Sequence, residues 1–195
     1  MRSRLRLHSG RNEAPSGGKR IPSTDEMLRV AASATRAARQ QGTNAAVVGG
    51  LAMQIYGSSR LTKDVDMIAD APLERKKAVR LLNIGGVVYQ WTKCVPVDWI
   101  LREDDYVALY KDALDNSLLH GRGFRLVSPE HLAAMKFAAQ RQKDYDDLMW
   151  LLQQDGLVNS DKARRIIFRF VGGRFAADQF DAAVEEARWR ARKGE

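Results

Sequence analysis

The chain has 195 residues, 45% of them hydrophobic and 29% charged, which is ordinary for one sizeable globular domain with or without a helical extension. No apolar run approaches the roughly 18 residues of a membrane span, and the basic N-terminus lacks the apolar core of a secretory signal, so no membrane partner is expected. The single cysteine, Cys94, excludes an internal disulfide and favours a reducing compartment, which predicts a cytoplasmic protein. The apolar run around Cys94 predicts a packed thiol.

The net charge of +8 is carried by the two ends of the sequence. Residues 1–22 hold six basic residues against one acidic residue, and residues 160–195 hold nine against six. Basic ends favour a polyanionic partner such as RNA, although a solvated tail and a solvated helix face explain the same charges equally well. Residues 1–22 are rich in Arg, Ser and Gly with little to bury, which predicts a disordered basic arm.

The first expected element is a helix with clear start and stop signals. Ser23 is a capping residue with Glu26 three positions later, and the alanine-rich sequence that follows runs to Gln41. Gly42 is typical of the position just after a helix end.

A strand, a glycine turn, a short helix and a second strand are expected next. The apolar run 45–48 leads into Gly49 and Gly50, followed by a helix over 51–56 and a strand over 64–68. Two glycines allow a sharp turn and a close approach of the backbone to a ligand. The free N–H groups at the start of the short helix are expected to face that ligand.

The remaining sequence predicts alternating elements up to residue 128 and helices beyond it. The elements before residue 128 are a helix from Pro72 to Gly85-Gly86, paired strands over 87–91 and 95–101, a helix over 104–114 and a short strand over 123–127. Pro96 is expected to lie near a sheet edge or a bulge.

Helical signals then continue to the C-terminus. Ser128 caps a helix with Pro129 at its first position, a further helix covers 144–153, Ser160 caps a third, and Gly172-Gly173 separates a fourth. The fold class is therefore predicted to be α+β. An α+β domain is expected over residues 23–127, and a C-terminal helical region over residues 128–195.

Asp64 and Asp66 are the first candidate site residues. They are two positions apart on an expected strand, so both carboxylates project from one face while Val65 and Met67 point to the other. Two carboxylates beside the Gly49-Gly50 turn are suited to holding Mg²⁺ (or Mn²⁺) against the triphosphate of an NTP.

Asp98 is the third candidate, because it interrupts the apolar strand 95–101. A carboxylate inside such a strand has to be paired, hydrogen-bonded or metal-bound, since burying it alone is costly. If this strand neighbours that of Asp64 and Asp66, the three carboxylates meet at one point, where Asp98 binds a second metal ion or accepts a proton. An Asp-x-Asp pair alone is common on exposed strands, and the preceding glycines and Asp98 are what favour a site.

These residues resemble the signature of the polymerase-β-like nucleotidyltransferase superfamily, in which a Gly-Gly or Gly-Ser turn precedes Asp-x-Asp and a third carboxylate follows on a later strand. The segment from Lys136 through Arg141-Gln142-Lys143-Asp144 to Asp147-Leu148 resembles that of the minimal nucleotidyltransferases related to AbiE-type (type IV) toxins. The resemblance spans roughly residues 24–152. It implies a nucleotidyltransferase-like fold, with a mixed β-sheet flanked by helices and followed by a C-terminal helical bundle.

The resemblance also implies roles for individual residues. Gly49 and Gly50 would shape the triphosphate site, Lys136 would reach the phosphates, and Asp144 would complete the site. Many relatives have a phosphate-contacting serine where this chain has Gly50, which leaves Ser58, Ser59 or Arg60 as candidates to compensate.

Structural alternatives exist for the second segment. Lys136 lies at helical spacing among apolar residues, where a lysine often extends only its ammonium to solvent. Arg141, Lys143, Asp144 and Asp147 could form a solvated ion-pair cluster at a helix start.

The sequence therefore predicts a Mg²⁺-dependent enzyme that transfers an NMP from an NTP to a hydroxyl acceptor. The acceptor could be tRNA, a protein or a small molecule, and the basic ends favour RNA. The resemblance implies a toxin with a neutralising antitoxin as partner. The alternative is a non-catalytic nucleotide- or RNA-binding module that keeps the fold; the presence of all three carboxylates argues against it.

Overall fold

The structure is a computed structural model that describes residues 20–194, so most of the expected basic arm over 1–22 lies outside the described residues. Seven α-helices are present in this part of the chain: α1 (Thr24–Arg39), α2 (Gly49–Ile55), α3 (Val107–Asp115), α4 (Pro129–Ala139), α5 (Gln142–Gln153), α6 (Ser160–Ile167) and α7 (Gly173–Lys193). A π-helical turn, Phe168–Gly172, joins the last two. None of the helices within residues 20–194 is long and apolar enough to cross a membrane.

The strands form one mixed sheet of seven strands. They are β1 (Ala45–Val48), β2 (Val65–Ala69), β3 (Arg80–Leu81), β4 (Gly86–Gln90), β5 (Pro96–Ile100), β6 (Leu118–Leu119) and β7 (Arg125–Leu126). The order across the sheet is β3-β4-β5-β2-β1-β7-β6. The predicted α+β class is confirmed, with a mixed sheet and a C-terminal helical segment.

The centre of the sheet decides where the acidic residues lie. β2 pairs with β5 in parallel, and Asp66 is the partner of Asp98 in that register. Neighbouring residues in register project from the same face of a sheet, so these two side chains lie side by side. Val65 and Met67, which alternate with Asp66, are fully buried in the core. The predicted alternation along this strand is confirmed.

Local signals at two helix starts are also confirmed. The Ser23 side chain accepts a hydrogen bond from the Glu26 N–H (3.2 Å) at the start of α1, and Ser128 caps α4 with Pro129 at its first position. The third C-terminal helix is capped one residue earlier than predicted, because the Asn159 side chain and not that of Ser160 accepts from the Lys162 N–H.

The predicted helix from Pro72 to Gly85-Gly86 is wrong. Its expected apolar residues are largely exposed, including Leu81 at 74%, and the segment enters the sheet as the short edge strand β3. The two glycines do not end a helix. They adopt positive φ angles, and a Cβ on Gly86 would come within 2.1 Å of the Trp99 carbonyl oxygen. Glycine is required there because β4 and β5 approach each other closely.

Two smaller predictions about the same hairpin also fail. Cys94 is exposed and not packed, since it lies in the connection between β4 and β5. Pro96 lies in an interior strand and not at an edge, because β5 has β4 on one side and β2 on the other. A proline is tolerated there as the first residue of its strand.

Candidate active site

The structure places Asp64, Asp66 and Asp98 in one cleft of about 330 Å³. Asp66 and Asp98 lie on the adjacent strands β2 and β5, and Asp64 lies just before β2. Gly49 and Gly50, at the start of α2, line the same cleft. The helical region closes the cleft from the opposite side through α4 and α5.

Gly49 and Gly50 make room for side chains of the chain itself. Gly49 has φ +65°, and a Cβ on it would come within 2.0 Å of Asp66 Oδ2. A Cβ on Gly50 would come within 2.7 Å of Thr62 Oγ1. The Gly50 N–H donates a hydrogen bond to Asp66 Oδ2 (3.3 Å), so this N–H faces a carboxylate. The close approach expected of the glycines is therefore made by Asp66 and Thr62.

Thr62 connects this turn to the acidic residues. Its hydroxyl donates a hydrogen bond to Asp64 Oδ1 over 2.7 Å. Thr62 is 8% exposed and lines the cleft. Hydrogen bonds from Thr62 and Gly50 thus orient two of the three carboxylates.

Burial and mutual repulsion act on the acidic residues of the sheet. Burial, reinforced by the charges of Asp64 and Asp98, raises the pKa of Asp66 to about 7, against smaller opposing effects of the Gly50 hydrogen bond and Lys136. The pKa of Asp98 is also raised, by burial and then by Asp64, with Arg80 acting in the opposite direction. These carboxylates therefore lack sufficient compensating positive charge from the protein.

A hard divalent cation suits the donor atoms of this cluster. Carboxylate oxygens are the ligands that Mg²⁺ and Mn²⁺ prefer, and a cation would remove the repulsion that raises the pKa of Asp66. Within residues 20–194, no three His, Cys, Asp or Glu side chains are already arranged so that they could hold a metal ion. The residues fit the ion by donor type and charge, and their side chains would have to converge on binding.

A buried ion-pair network forms the helical wall of the cleft. Lys136 on α4 is 8% exposed, and its ammonium donates to Asp144 Oδ1 (2.8 Å) and lies 2.6 Å from Asp147 Oδ2. Arg141 also pairs with Asp144, and Arg60 pairs with Asp147. Lys136 is therefore held at the cleft by buried partners and does not reach out to bulk solvent.

This network shifts a carboxylate pKa in the direction opposite to the shift on the sheet. Burial alone would raise the pKa of Asp144, but hydrogen bonds from Lys136 and Arg141 outweigh it, and the pKa is lowered. Because Arg60 lies in the connection before β2, its pair with Asp147 also links that connection to α5.

The structure brings five of the six predicted nucleotide-binding residues together in the cleft. Gly49, Gly50, Arg60, Lys136 and Asp144 line the cleft with the three acidic residues. Ser58 does not; its side chain accepts a hydrogen bond from the Arg60 N–H (3.3 Å) in the turn after α2.

Three cleft-associated residues were not among the predicted site residues. Thr62 and Arg80 line the cleft, and Asp147 holds Lys136 and Arg60. The spacing of Thr62 two residues before Asp64 was a usable signal, since a hydroxyl at that distance can bond a neighbouring carboxylate. Asp147 lies three residues after Asp144, one helical turn away on the same face. Arg80 was predicted to lie on the helix from Pro72 to Gly85-Gly86, where it was expected to face solvent or to contact phosphate. It lines the cleft because its segment is strand β3 and not a helix.

A second cavity, of about 590 Å³, lies beside the cleft, and Lys136 and Arg141 border both. Its walls come from α4, α5 and α7 and include Phe137 and Tyr145. The Tyr145 hydroxyl donates to Glu186 Oε2 (2.5 Å) across the cavity wall. An open, partly aromatic space therefore adjoins the acidic cleft.

No protein-family model matches the chain, and no curated protein matches it in sequence. Among solved structures, it is similar to an antigenic nucleotidyltransferase-like protein from Paracoccidioides brasiliensis, with 17% identity over 84% of this chain and 94% of that one, at a TM-score of 0.49. It is also similar to the antibiotic-resistance factor ANT(2″)-Ia, with 14% identity over 86% of this chain and 100% of that one, at a TM-score of 0.49.

Proposed function

We propose that the protein is a Mg²⁺-dependent nucleotidyltransferase that transfers an NMP from an NTP to a hydroxyl group. The observation that carries this proposal is the register of β2 and β5, which sets Asp66 beside Asp98 with Asp64 in the same cleft. Three acidic side chains in one partly buried cleft, with the pKa of one raised to about 7, favour a site that receives a cation from outside.

Asp64, Asp66 and Asp98 would hold the divalent cations. When bound there, such ions neutralise phosphate charge and lower the pKa of an attacking hydroxyl. On the opposite wall and rim, cationic side chains face the space that the triphosphate would occupy: Arg60, Arg80, Lys136, Arg141 and Lys143. The catalytic contribution of the chain is then mainly positioning and charge neutralisation.

The proposed reaction is a displacement at the α-phosphorus. The acceptor oxygen forms a bond to that phosphorus, the bond to the bridging oxygen breaks, and pyrophosphate leaves. The hydroxyl proton passes to the Asp98 carboxylate, which lies in the same cleft as the other two acidic residues.

RNA, and tRNA in particular, is the acceptor that we propose. The exposed segment before β3 carries Arg75 and Lys77, which form no ion pair within residues 20–194, and it leads to Arg80 at the rim of the cleft. Unpaired cations beside a cleft favour a phosphate backbone. The resemblance to AbiE-type toxins supports a role as a toxin that a cognate antitoxin neutralises.

Label transfer from α-³²P-labelled NTPs tests the proposal. The full chain is incubated with Mg²⁺, each NTP in turn, and either total tRNA or a protein mixture. We expect labelled tRNA, a loss of about 100-fold or more in Asp64→Asn and Asp98→Asn, and little change in the exposed control Asp105→Asn.

Each alternative result overturns a defined part of the proposal. Label on protein but not on tRNA overturns the RNA acceptor. Undiminished transfer in Asp64→Asn overturns the metal assignment. NTP binding without transfer to any acceptor favours the non-catalytic module.

A further inference from the structure

Thr62 and Gly50 share one space at the edge of the cleft. A Cβ on residue 50 would come within 2.7 Å of Thr62 Oγ1 and 2.8 Å of Thr62 Cβ. Real Cβ atoms do not approach other heavy atoms so closely, so a side chain at residue 50 and the present position of Thr62 exclude each other. Gly50 does not have a positive φ angle, so the need for glycine here is steric.

The Thr62 side chain has a defined hydrogen bond in that space. Its hydroxyl donates to Asp64 Oδ1 over 2.7 Å, while the neighbouring Gly50 N–H donates to Asp66 Oδ2 over 3.3 Å. Thr62 is nearly buried, and the two γ substituents restrict its side-chain rotamers. The hydroxyl therefore limits the orientations that the Asp64 carboxylate can adopt.

We propose that Thr62 is a positioning residue of the cleft: its hydroxyl holds the Asp64 carboxylate ready for a divalent cation, in the space that Gly50 leaves free. This inference rests on the proposed function, because it concerns a ligand of the proposed metal ion. Groups that orient a metal ligand typically contribute 10–100-fold to metal affinity.

Mn²⁺ binding to the full chain, without nucleotide, tests the orienting role. Thr62→Val keeps the shape and removes the hydroxyl, and we expect Mn²⁺ affinity to fall about 10-fold. Thr62→Ser keeps the hydroxyl and should stay within about 3-fold of the wild type. Thr35→Val is a matched control, because Thr35 is also buried and its hydroxyl has no hydrogen-bond partner within residues 20–194. Its affinity for Mn²⁺ should be unchanged.

The same measurement in an Asp64→Ala background separates orientation from general damage. If Thr62 acts through Asp64, then Thr62→Val should reduce Mn²⁺ affinity less than about 2-fold further in that background. An undiminished effect of Thr62→Val there, or wild-type affinity in Thr62→Val alone, overturns the proposal. No Mn²⁺ binding to the wild type overturns the metal centre and the role of Thr62 with it. If the wild type binds Mn²⁺ and transfers label while Thr62→Val has unaltered Mn²⁺ affinity, then only the role of Thr62 is overturned and the proposed function stands.

The shared space is tested by thermal unfolding, which needs no metal. Gly50→Ala should lower Tm by roughly 5 °C or more because its Cβ meets Thr62. In a Thr62→Gly background, the same change should lower Tm by less than about half as much. Equal losses in the two backgrounds would show that Thr62 does not occupy the space of residue 50.

Discussion

Asp66 on the sheet and Asp144 on the helical wall line the same cleft, yet their environments shift their pKa values in opposite directions. Burial together with Asp64 and Asp98 raises the pKa of Asp66 to about 7. Burial also acts on Asp144, but hydrogen bonds from Lys136 and Arg141 lower its pKa overall. The difference lies in the compensating positive charge that each side chain receives from the protein.

The two walls therefore differ in whether the chain itself neutralises their carboxylates. The helical wall is neutralised within the chain, because Lys136 and Arg60 pair with Asp144 and Asp147. The acidic residues of the sheet repel one another in the free protein and would gain most from an external cation. The two walls should therefore respond oppositely when one charge is removed.

Breaking the helical wall should have the largest effect on stability. Lys136→Met keeps the apolar stem and removes the ammonium, which leaves Asp144 and Asp147 buried without that partner. We expect a loss of about 3–5 kcal/mol in the free energy of unfolding, measured by urea titration.

Lys143→Met is the matched control for this change. Lys143 lines the same cleft but is exposed and forms no ion pair among the described residues, so its change should stay within about 0.5 kcal/mol. A loss below about 1 kcal/mol in Lys136→Met would show that the network is not a structural element of the wall.

The sheet wall is the side of the cleft formed by Asp64, Asp66 and Asp98. Removing a negative charge from it should raise the free energy of unfolding. The pKa of Asp66 is raised from 3.8 to about 7 in the folded protein, so the folded state keeps a proton that the unfolded state loses. Stability therefore falls as the pH rises from about 4 to about 7, and Asp66→Asn, which cannot ionise, avoids that fall.

In metal-free buffer, we expect Asp66→Asn to be more stable than the wild type at pH 8 by on the order of 1–3 kcal/mol, and similar to it near pH 4. Urea unfolding at the two pH values measures the difference. Added Mn²⁺ should narrow it at pH 8, because only the wild type has the full set of acidic ligands. The exposed Asp105→Asn should show no such pH dependence. Equal stability of Asp66→Asn and the wild type at pH 8 would contradict the uncompensated state of the sheet wall.

The sheet wall was predictable from sequence because its signals are local. The alternation of Asp64, Val65 and Asp66 fixes which side chains share a face, and the apolar strand around Asp98 marks the third acidic residue. Pairing of β2 with β5 then brings the three carboxylates to one cleft. The start of α4 was likewise predictable, since Ser128 and Pro129 act within one helical turn.

The features that escaped prediction depend on contacts between distant residues. The proximity of Thr62 to Gly50 arises only when the segment before β2 packs against the start of α2. The pair of Arg60 with Asp147 spans 87 positions of sequence. β3 is two residues long and exposed, so it has no hydrophobic period to distinguish it from a helix. The close approach of Gly86 to Trp99 is likewise a property of the assembled hairpin.

The smallest predicted effect concerns the acid stability of the helical wall. The folded-state pKa of Asp144 is lowered below its ordinary value, so the stability it contributes is present above about pH 4 and is lost as the pH falls through the folded-state pKa. One proton changes stability by at most about 1.4 kcal/mol per pH unit. Between pH 5 and pH 3, unfolding free energy should therefore fall more steeply in the wild type than in Asp144→Asn.

Asp146→Asn, an exposed change on the same helix, should retain the wild-type slope. If Asp144→Asn also retains it, then the ion pairs with Lys136 and Arg141 do not compensate the burial of Asp144, and the contrast between the two walls disappears. If the slope falls only in Asp144→Asn, then the helical wall is neutral without a ligand. Binding of a cation would then change mainly the charge balance of the sheet wall, where the chain itself supplies too little positive charge.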